Sequence, residues 1–501
     1  MTAANPSEAS VWNKTDWQIA SALFIVTFLS RIPFRTTLFY AWDSVLYARA
    51  IDHFDVSIHQ PHAPGHIFYV FLSRIVNLIT GDPNSAMVWV SVFFSAAAVA
   101  ALYWLGTMMF SRHVGLVASL LLATSLSFWA YSEVAYPYTL LAFLVTAFAG
   151  LIYVAREGKS ARFILLAALF LGIGSGFRQD MLPFMLPLMA YGLLGMPWRR
   201  WVAAGMLLGA GVASWYLPSA LLSGGFAVYR ESSANQSDYI IEKISVFGRG
   251  LQAIAANLHD LGLFSLLALA AATPLLLVFL AGLFFPGRRN VRRDGRLLFL
   301  MIWTVPSILF YIFIHVGEFG YVFSFLPAAL LAAAWGTANL AVMIAEKRGD
   351  QKKAAGIFAL ASASVIFINL MLFLVLTPSL SANRLAARDG ILRSRIETIR
   401  ENFDPGSTFI VSVFDYQQAA YYLPEYQVWK FDPLEDSYPS TDLPEGVERV
   451  VVFENYLKPG NNEKQDILPL DYDQRLVVMY PRGSRHIQVD WPSRTVDITD
   501  E

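Results

Sequence analysis

Residues 85–110 read SAMVWVSVFFSAAAVAALYWLGTMMF, a run without one charged side chain. A helix needs about 20 apolar residues to cross a bilayer's hydrocarbon core, and this block is long enough to do so alone. Outward from it, about eleven blocks of this character recur between Trp17 and Leu376. They lie near 15–34, 85–110, 114–131, 137–155, 162–178, 181–197, 201–222, 260–285, 297–315, 321–344 and 355–377. The block starting at Met181 is the shortest and carries Pro183 and Pro187, as a broken or re-entrant helix would. The pattern predicts an all-α polytopic membrane domain over 1–377, followed by a small α/β domain over 378–501.

Composition agrees with that class. Hydrophobic residues make up 56% of the 501 and charged residues 15%, and the mean hydropathy is +0.47, outside the balance of a soluble globular chain. Basic and acidic residues number 37 and 38, and no basic stripe carries interleaved aromatics, so nucleic acid is excluded as a partner. Without cysteine the chain forms neither disulfides nor thiolate metal sites. The first apolar run ends in Arg31-Ile-Pro-Phe34 without a small-residue cleavage site, which reads as a retained span instead of a signal peptide.

Short loops rich in Lys and Arg stay in the cytoplasm, and the basic residues here alternate from loop to loop. One side collects Arg112; Arg156, Lys159 and Arg162; Arg199 and Arg200; Arg288, Arg289, Arg292, Arg293 and Arg296; and Lys347, Arg348, Lys352 and Lys353. That side is assigned to the cytoplasm together with the N-terminus. The other side receives the long loop 35–84, the turns Tyr131–Tyr136 and Phe177–Asp180, the loop 223–258 and Val316–Gly320. An odd number of crossings then places the tail outside the cytoplasm, as in an inner-membrane multi-pass protein. In the tail, β-rich runs at Thr408–Val413, Arg449–Phe453, Leu476–Met479 and Ile487–Val489 replace the apolar blocks. Helices are expected over Arg384–Arg400 and Asp415–Leu423.

The external segments hold the residues suited to chemistry. Asp43, in Tyr40-Ala-Trp-Asp-Ser, stands just outside the membrane at the start of a short amphipathic helix, where it is either a reactive acid or an N-cap. Downstream, His59-Gln-Pro-His62-Ala-Pro-Gly-His66 places three of the eight histidines in one short segment. His62 and His66 could share a metal if helical, but Pro64-Gly65 favours a pocket-shaping turn followed by an interfacial helix from His66 to about Leu78. Glu133, in Tyr131-Ser-Glu-Val-Ala-Tyr-Pro-Tyr138, is an ionisable group in a tight, apolar-flanked turn and so a functional candidate. The tyrosines around it, Tyr138 included, are also what a membrane interface attracts. Arg178, in Gly176-Phe-Arg-Gln-Asp180, runs against the charge rule on its side; it either neutralises Asp180 or binds a lipid phosphate. Glu318, in His315-Val-Gly-Glu-Phe-Gly-Tyr321, adds another external acid.

Trp42-Asp43 after the first span, the turn Pro64-Gly65-His66-Ile67-Phe68-Tyr69 and the acid Glu133 resemble the GT-C superfamily, most nearly its protein O-mannosyltransferase-like branch. Ala63-Pro64-Gly65 stands where that branch has Pro-Pro-Gly, and Ser44 follows Asp43 where many relatives have a second acid. The resemblance implies an inverting transferase that takes a sugar, such as mannose, from a dolichyl- or polyprenyl-phosphate carrier in the membrane lipid. The acceptor would be a protein, lipid or polysaccharide at the outer face. It also implies Asp43 as general base, with His59, His62, His66, Glu133, Tyr138, Arg178 and Glu318 at the donor and acceptor sites. No cofactor is required on this reading, although a divalent cation is kept as an alternative. A transporter with broken helices at Pro218, Pro274 and Pro306 is the main rival, and a scaffold recruiting partners through its tail is a third. No inverted repeat is visible, and the polar candidates gather at one face instead of at the midplane, which counts against transport.

Overall fold

The computed structural model describes residues 13–158, 160–283, 294–431, 433, 436–460, 465–481 and 483–499. Lys159, Arg288, Arg289, Arg292 and Arg293 of the charge pattern lie outside the described residues. The chain divides into two compact units. One holds the residues up to Arg35 and Ala50–Ala382; the other holds Thr36–Arg49 and the chain from Asn383.

In the first unit, eight helices are long and apolar enough to cross a membrane: Lys14–Phe34, Pro83–Met109, Tyr138–Glu157, Trp198–Leu222, Leu251–Gly282, Gly295–Phe313, Leu326–Lys347 and Gln351–Leu374. Four shorter apolar helices, Ile67–Thr80, Arg112–Thr124, Arg162–Gly174 and Met181–Leu193, complete the apolar set among the described residues. Eight of the eleven predicted blocks hold one of these long helices, the blocks 114–131, 162–178 and 181–197 fall on shorter ones, and the interfacial helix expected from His66 runs over Ile67–Thr80. The central helix Tyr138–Glu157 is 72% buried over its apolar window, whereas Gln351–Leu374 is 28% buried. Leu360 and Phe367 on the latter are exposed, as lipid-facing side chains on a helix that is apolar all round would be. Among the buried helices, hydroxyls satisfy backbone groups that no water reaches: Ser91 Oγ donates to the Tyr136 carbonyl at 2.8 Å and Thr139 Oγ1 to the Ser91 carbonyl at 2.9 Å.

Three expectations are corrected. The block 114–131 is two helices, Arg112–Thr124 and Leu126–Tyr131. Ser125 between them adopts φ −57°, ψ 128° and donates its hydroxyl to the Ala268 carbonyl at 2.5 Å. The segment 223–258 is not a loop: helices Phe226–Lys243 and Val246–Arg249 precede Leu251–Leu269, which begins nine residues before the expected block at 260. The block from Met181 is a continuous helix, Met181–Leu193, that accommodates Pro187 internally.

The second unit is a layered α/β domain. Strands β1 (Thr408–Val411), β2 (Gln427–Trp429), β4 (Arg449–Val452), β6 (Gln465–Pro469) and β7 (Arg475–Met479) form a sheet in the order β2-β1-β4-β7-β6. Strands β1, β2 and β4 are mutually parallel and the rest antiparallel. Strands β3 (Ser440–Asp442), β5 (Lys458–Pro459), β8 (His486–Asp490) and β9 (Thr495–Thr499) form a second sheet. Because strand side chains alternate, Val450 and Val452 pack toward the second sheet, in a core with Val411, Met479, Ile487 and Val496. Val451, Ile410 and Val478 pack on the other face against Leu392, Ile396 and Ile399 of helix Ala382–Asn402 and Ala419 of helix Tyr416–Tyr422. Burial on both faces is why β4 and β7 read as unbroken apolar runs.

Candidate active site

In the first unit, the histidine segment folds as a turn. Asp55 and Gln60 pair as an antiparallel bridge, with N–H to O distances of 2.7 and 2.9 Å, and His59 takes a left-handed conformation at φ 56°. The Gln60–Pro61 and Ala63–Pro64 bonds are cis. Gly65 has φ 104°, and a Cβ there would come 2.7 Å from the Phe54 ring, so only glycine fits. His66, at φ 46°, stands immediately before helix Ile67–Thr80, so His62 and His66 do not share a helical face; their rings lie 5.7 Å apart. Among the described residues, no three His, Asp or Glu side chains gather as a metal site would require. His59 is exposed, His62 half-buried and His66 buried.

The Phe68 N–H donates to the Gly176 carbonyl at 3.1 Å, tying this turn to the one carrying Arg178. Arg178 is 5% exposed. Its Nε and Nη2 donate to the two carboxylate oxygens of Asp180 at 3.2 and 2.7 Å, and its guanidinium carbon sits 4.4 Å from the centre of the Tyr138 ring and 5.5 Å from that of Tyr321. Burial works against this charge, but Asp180 and the two tyrosines outweigh it and hold the Arg178 pKa well above its ordinary value. His66 responds oppositely: burial, then the Arg178 charge, keep its imidazole well below the usual range and therefore neutral.

Tyr138 links these groups, through Tyr131, to Glu318. Its ring packs against Tyr131, Tyr136 and Tyr321 at centroid distances of 5.6, 4.9 and 5.7 Å. Tyr131 donates its hydroxyl to Glu318 at 2.6 Å. The 3-10 turn Phe319–Ser324 approaches Tyr138 so closely that a Cβ on Gly320 would fall 2.1 Å from the ring, which accounts for glycine in Gly317-Glu-Phe-Gly320. Glu133 accepts the Trp129 indole N–H at 2.6 Å, and Arg31 stacks over that indole with its guanidinium carbon 4.1 Å from the ring centre. Burial pushes the Glu133 carboxyl well above the ordinary carboxylate range, opposed by the Arg31 charge and the Trp129 N–H.

The structure thus brings His62, His66, Glu133, Tyr138, Arg178 and Glu318 onto neighbouring turns of one unit. Sequence reading missed Arg31, Trp129 and Tyr321 as members of this cluster. Arg31 carried a usable signal, because a basic side chain on the side assigned as external breaks the charge rule as Arg178 does. Asp43 belongs to the other unit. It is the second residue of helix Trp42–Asp52, not the cap before it, so the N-cap alternative is corrected: the carboxylate lies in the first turn of the helix.

A family model described as dolichyl-phosphate-mannose-protein mannosyltransferase matches residues 61–222. No curated protein matches the chain in sequence. Among solved structures, ArnT from Cupriavidus metallidurans bound to undecaprenyl phosphate aligns with a TM-score of 0.55 at 10% identity, over 93% of this chain and 98% of that one. The same enzyme in the apo state gives 0.52 at 11% identity over the same shares. The apo oligosaccharyltransferase of Archaeoglobus fulgidus gives 0.52 at 14% identity over 83% of this chain, which spans 65% of that protein's length. The chain therefore has the GT-C fold of membrane glycosyltransferases.

Proposed function

We propose that this protein is a glycosyltransferase that moves a sugar from a polyprenyl-phosphate carrier to an acceptor hydroxyl on the non-cytoplasmic face of the cell membrane. The observation that carries the reading is the family match over 61–222, the stretch containing His62, His66, Glu133, Tyr138 and Arg178. The likeness to ArnT bound to undecaprenyl phosphate supports a carrier of the same chemistry. Mannose is the sugar the family description favours. Asp43 takes the proton from the acceptor hydroxyl as its oxygen attacks the anomeric carbon; the bond to the lipid phosphate breaks, and the phosphate departs with the electron pair. Arg178 supplies positive charge for that phosphate, since Nε and Nη2 engage Asp180 while Nη1 is not used in that pair. His59, His62, His66, Tyr138 and Glu318 line the donor and acceptor approaches.

Incubating the purified protein with a labelled polyprenyl-phosphate sugar tests the reading. Free polyprenyl phosphate and a glycosylated acceptor are expected, with turnover surviving EDTA because a guanidinium neutralises the leaving group. Transport of the intact carrier, or no change in it, would replace the enzyme reading with the transporter or scaffold. Topology is tested separately: protease added to intact spheroplasts is expected to remove the tail from about Pro378. Cleavage confined to inverted vesicles would place the tail in the cytoplasm.

A further inference from the structure

The residues immediately before Asp43 are held by the C-terminal domain. Asp389, on helix Ala382–Asn402, accepts the Thr37 N–H at 3.1 Å and the Leu38 N–H at 2.8 Å through Oδ1, and the Thr37 hydroxyl through Oδ2. Arg388 donates from Nε and Nη2 to the Tyr40 carbonyl at 3.0 and 2.9 Å. The Phe39 N–H donates to the Tyr422 hydroxyl at 3.0 Å, and the Phe39 ring, 1% exposed, packs against Tyr421 and Tyr422. Trp42, adjacent to Asp43, packs at a 40° tilt against Tyr416 with ring centres 5.8 Å apart, and the Lys430 ammonium lies 5.1 Å from its ring centre.

These contacts are anchored in the sheet. Arg388 Nη2 also donates to Asp415 at 3.0 Å, and Arg395 meets the same carboxylate at 3.4 Å. Asp415 follows β1, and its N–H donates to Glu454 at 2.5 Å, where the Val413 N–H and the Ser412 hydroxyl also converge at 2.9 and 3.0 Å. Glu454 follows β4 and is 4% exposed. A continuous chain of polar contacts, buried at Glu454 and exposed at Arg388, therefore runs from the carboxyl ends of two parallel strands to the backbone two residues before Trp42.

We propose that the C-terminal domain is a positioning device for Asp43, with Asp389 and Arg388 as its positioning residues. The inference rests on the general-base reading of Asp43. A backbone segment alone between a membrane span and a short helix would wander, and acid-base transfer loses about 100-fold from misplacement on the scale of 1 Å. The domain removes that freedom chiefly through two side chains that grip main-chain groups of Thr37, Leu38 and Tyr40, with the Thr37 hydroxyl and the Phe39 ring adding side-chain contacts.

Hydrogen exchange and transfer, measured on the full chain in detergent, test the device. Asp389→Ala is expected to speed exchange of the 37–43 amides by about ten-fold or more while the amides of β4 and β7 keep their protection. Transfer should fall about ten-fold or more, with affinity for undecaprenyl phosphate within about two-fold of wild type. Asp389→Asn keeps Oδ1, the acceptor for the Thr37 and Leu38 N–H groups, and should restore most of both losses. Unchanged exchange at 37–43, or unchanged transfer in a variant whose 37–43 segment has loosened, overturns the proposal. Failure of the general-base reading has a different signature: Asp43→Asn would then retain transfer while 37–43 stayed protected.

Discussion

Asp43→Asn is expected to reduce sugar transfer by about 10² to 10⁴, the usual contribution of a positioned acid-base group, in a protein that still folds and binds donor. The substitution keeps the side chain's size and removes its charge and basicity. Asp43 lies in the first turn of helix Trp42–Asp52, where a carboxylate meets the positive end of the helix dipole. Losing that interaction costs about 0.3–1 kcal/mol of stability, too little to mimic a catalytic defect. Transfer rates and thermal midpoints measured on one preparation therefore separate the two contributions. A well-folded variant that transfers within a few-fold of wild type would remove Asp43 as the base and move Glu133 to the head of the acids.

Arg178→Ala is expected to act through two routes that the same preparation distinguishes. The ion pair with Asp180 is largely buried, the two side chains being 6% and 18% exposed. Removing one partner of such a pair typically costs about 3–5 kcal/mol, because the other charge is left stranded. The variant should therefore be markedly less stable, and the double variant Arg178→Ala with Asp180→Ala should recover part of that loss. If Arg178 also holds the carrier phosphate, the stabilised double variant will still bind undecaprenyl phosphate weakly. Normal affinity in the double variant would confine Arg178 to orienting Asp180 and the Tyr138 ring.

Much of the membrane unit was legible because its signal is local: apolar runs of sufficient length form helices wherever they lie, and eight of the eleven predicted blocks hold a helix long enough to span. The break at Ser125 was not legible, because Leu-Leu-Ala-Thr-Ser-Leu is apolar on both sides of it and the bond fixing the break reaches Ala268. Helix Phe226–Lys243 was hidden by its polar composition, which resembles that of a loop. In the tail, β3 and β5 are too short to leave a periodic trace and exist through their pairing with β8 and β9. The site shows the same division. The Arg178–Asp180 pair is two residues apart and was anticipated as one alternative, whereas the stacking of Arg178 on Tyr321 and of Arg31 on Trp129 depends on tertiary packing. No pattern in residues 36–43 announced that their partners lie after residue 383.

The grip of Asp389 on Thr37 joins residues separated by 352 positions, and this separation imposes an order on biogenesis. A ribosome adds about 5–20 residues per second, so the loop carrying Asp43 leaves the membrane tens of seconds before the helix that will hold it has been made. During that interval the growing chain already has its first spans but lacks Asp389 and Arg388, the partners of residues 37–40. If Asp43 is the base and this grip positions it, a chain truncated late in the message is expected to insert normally yet transfer sugar about ten-fold or more slowly than the full chain.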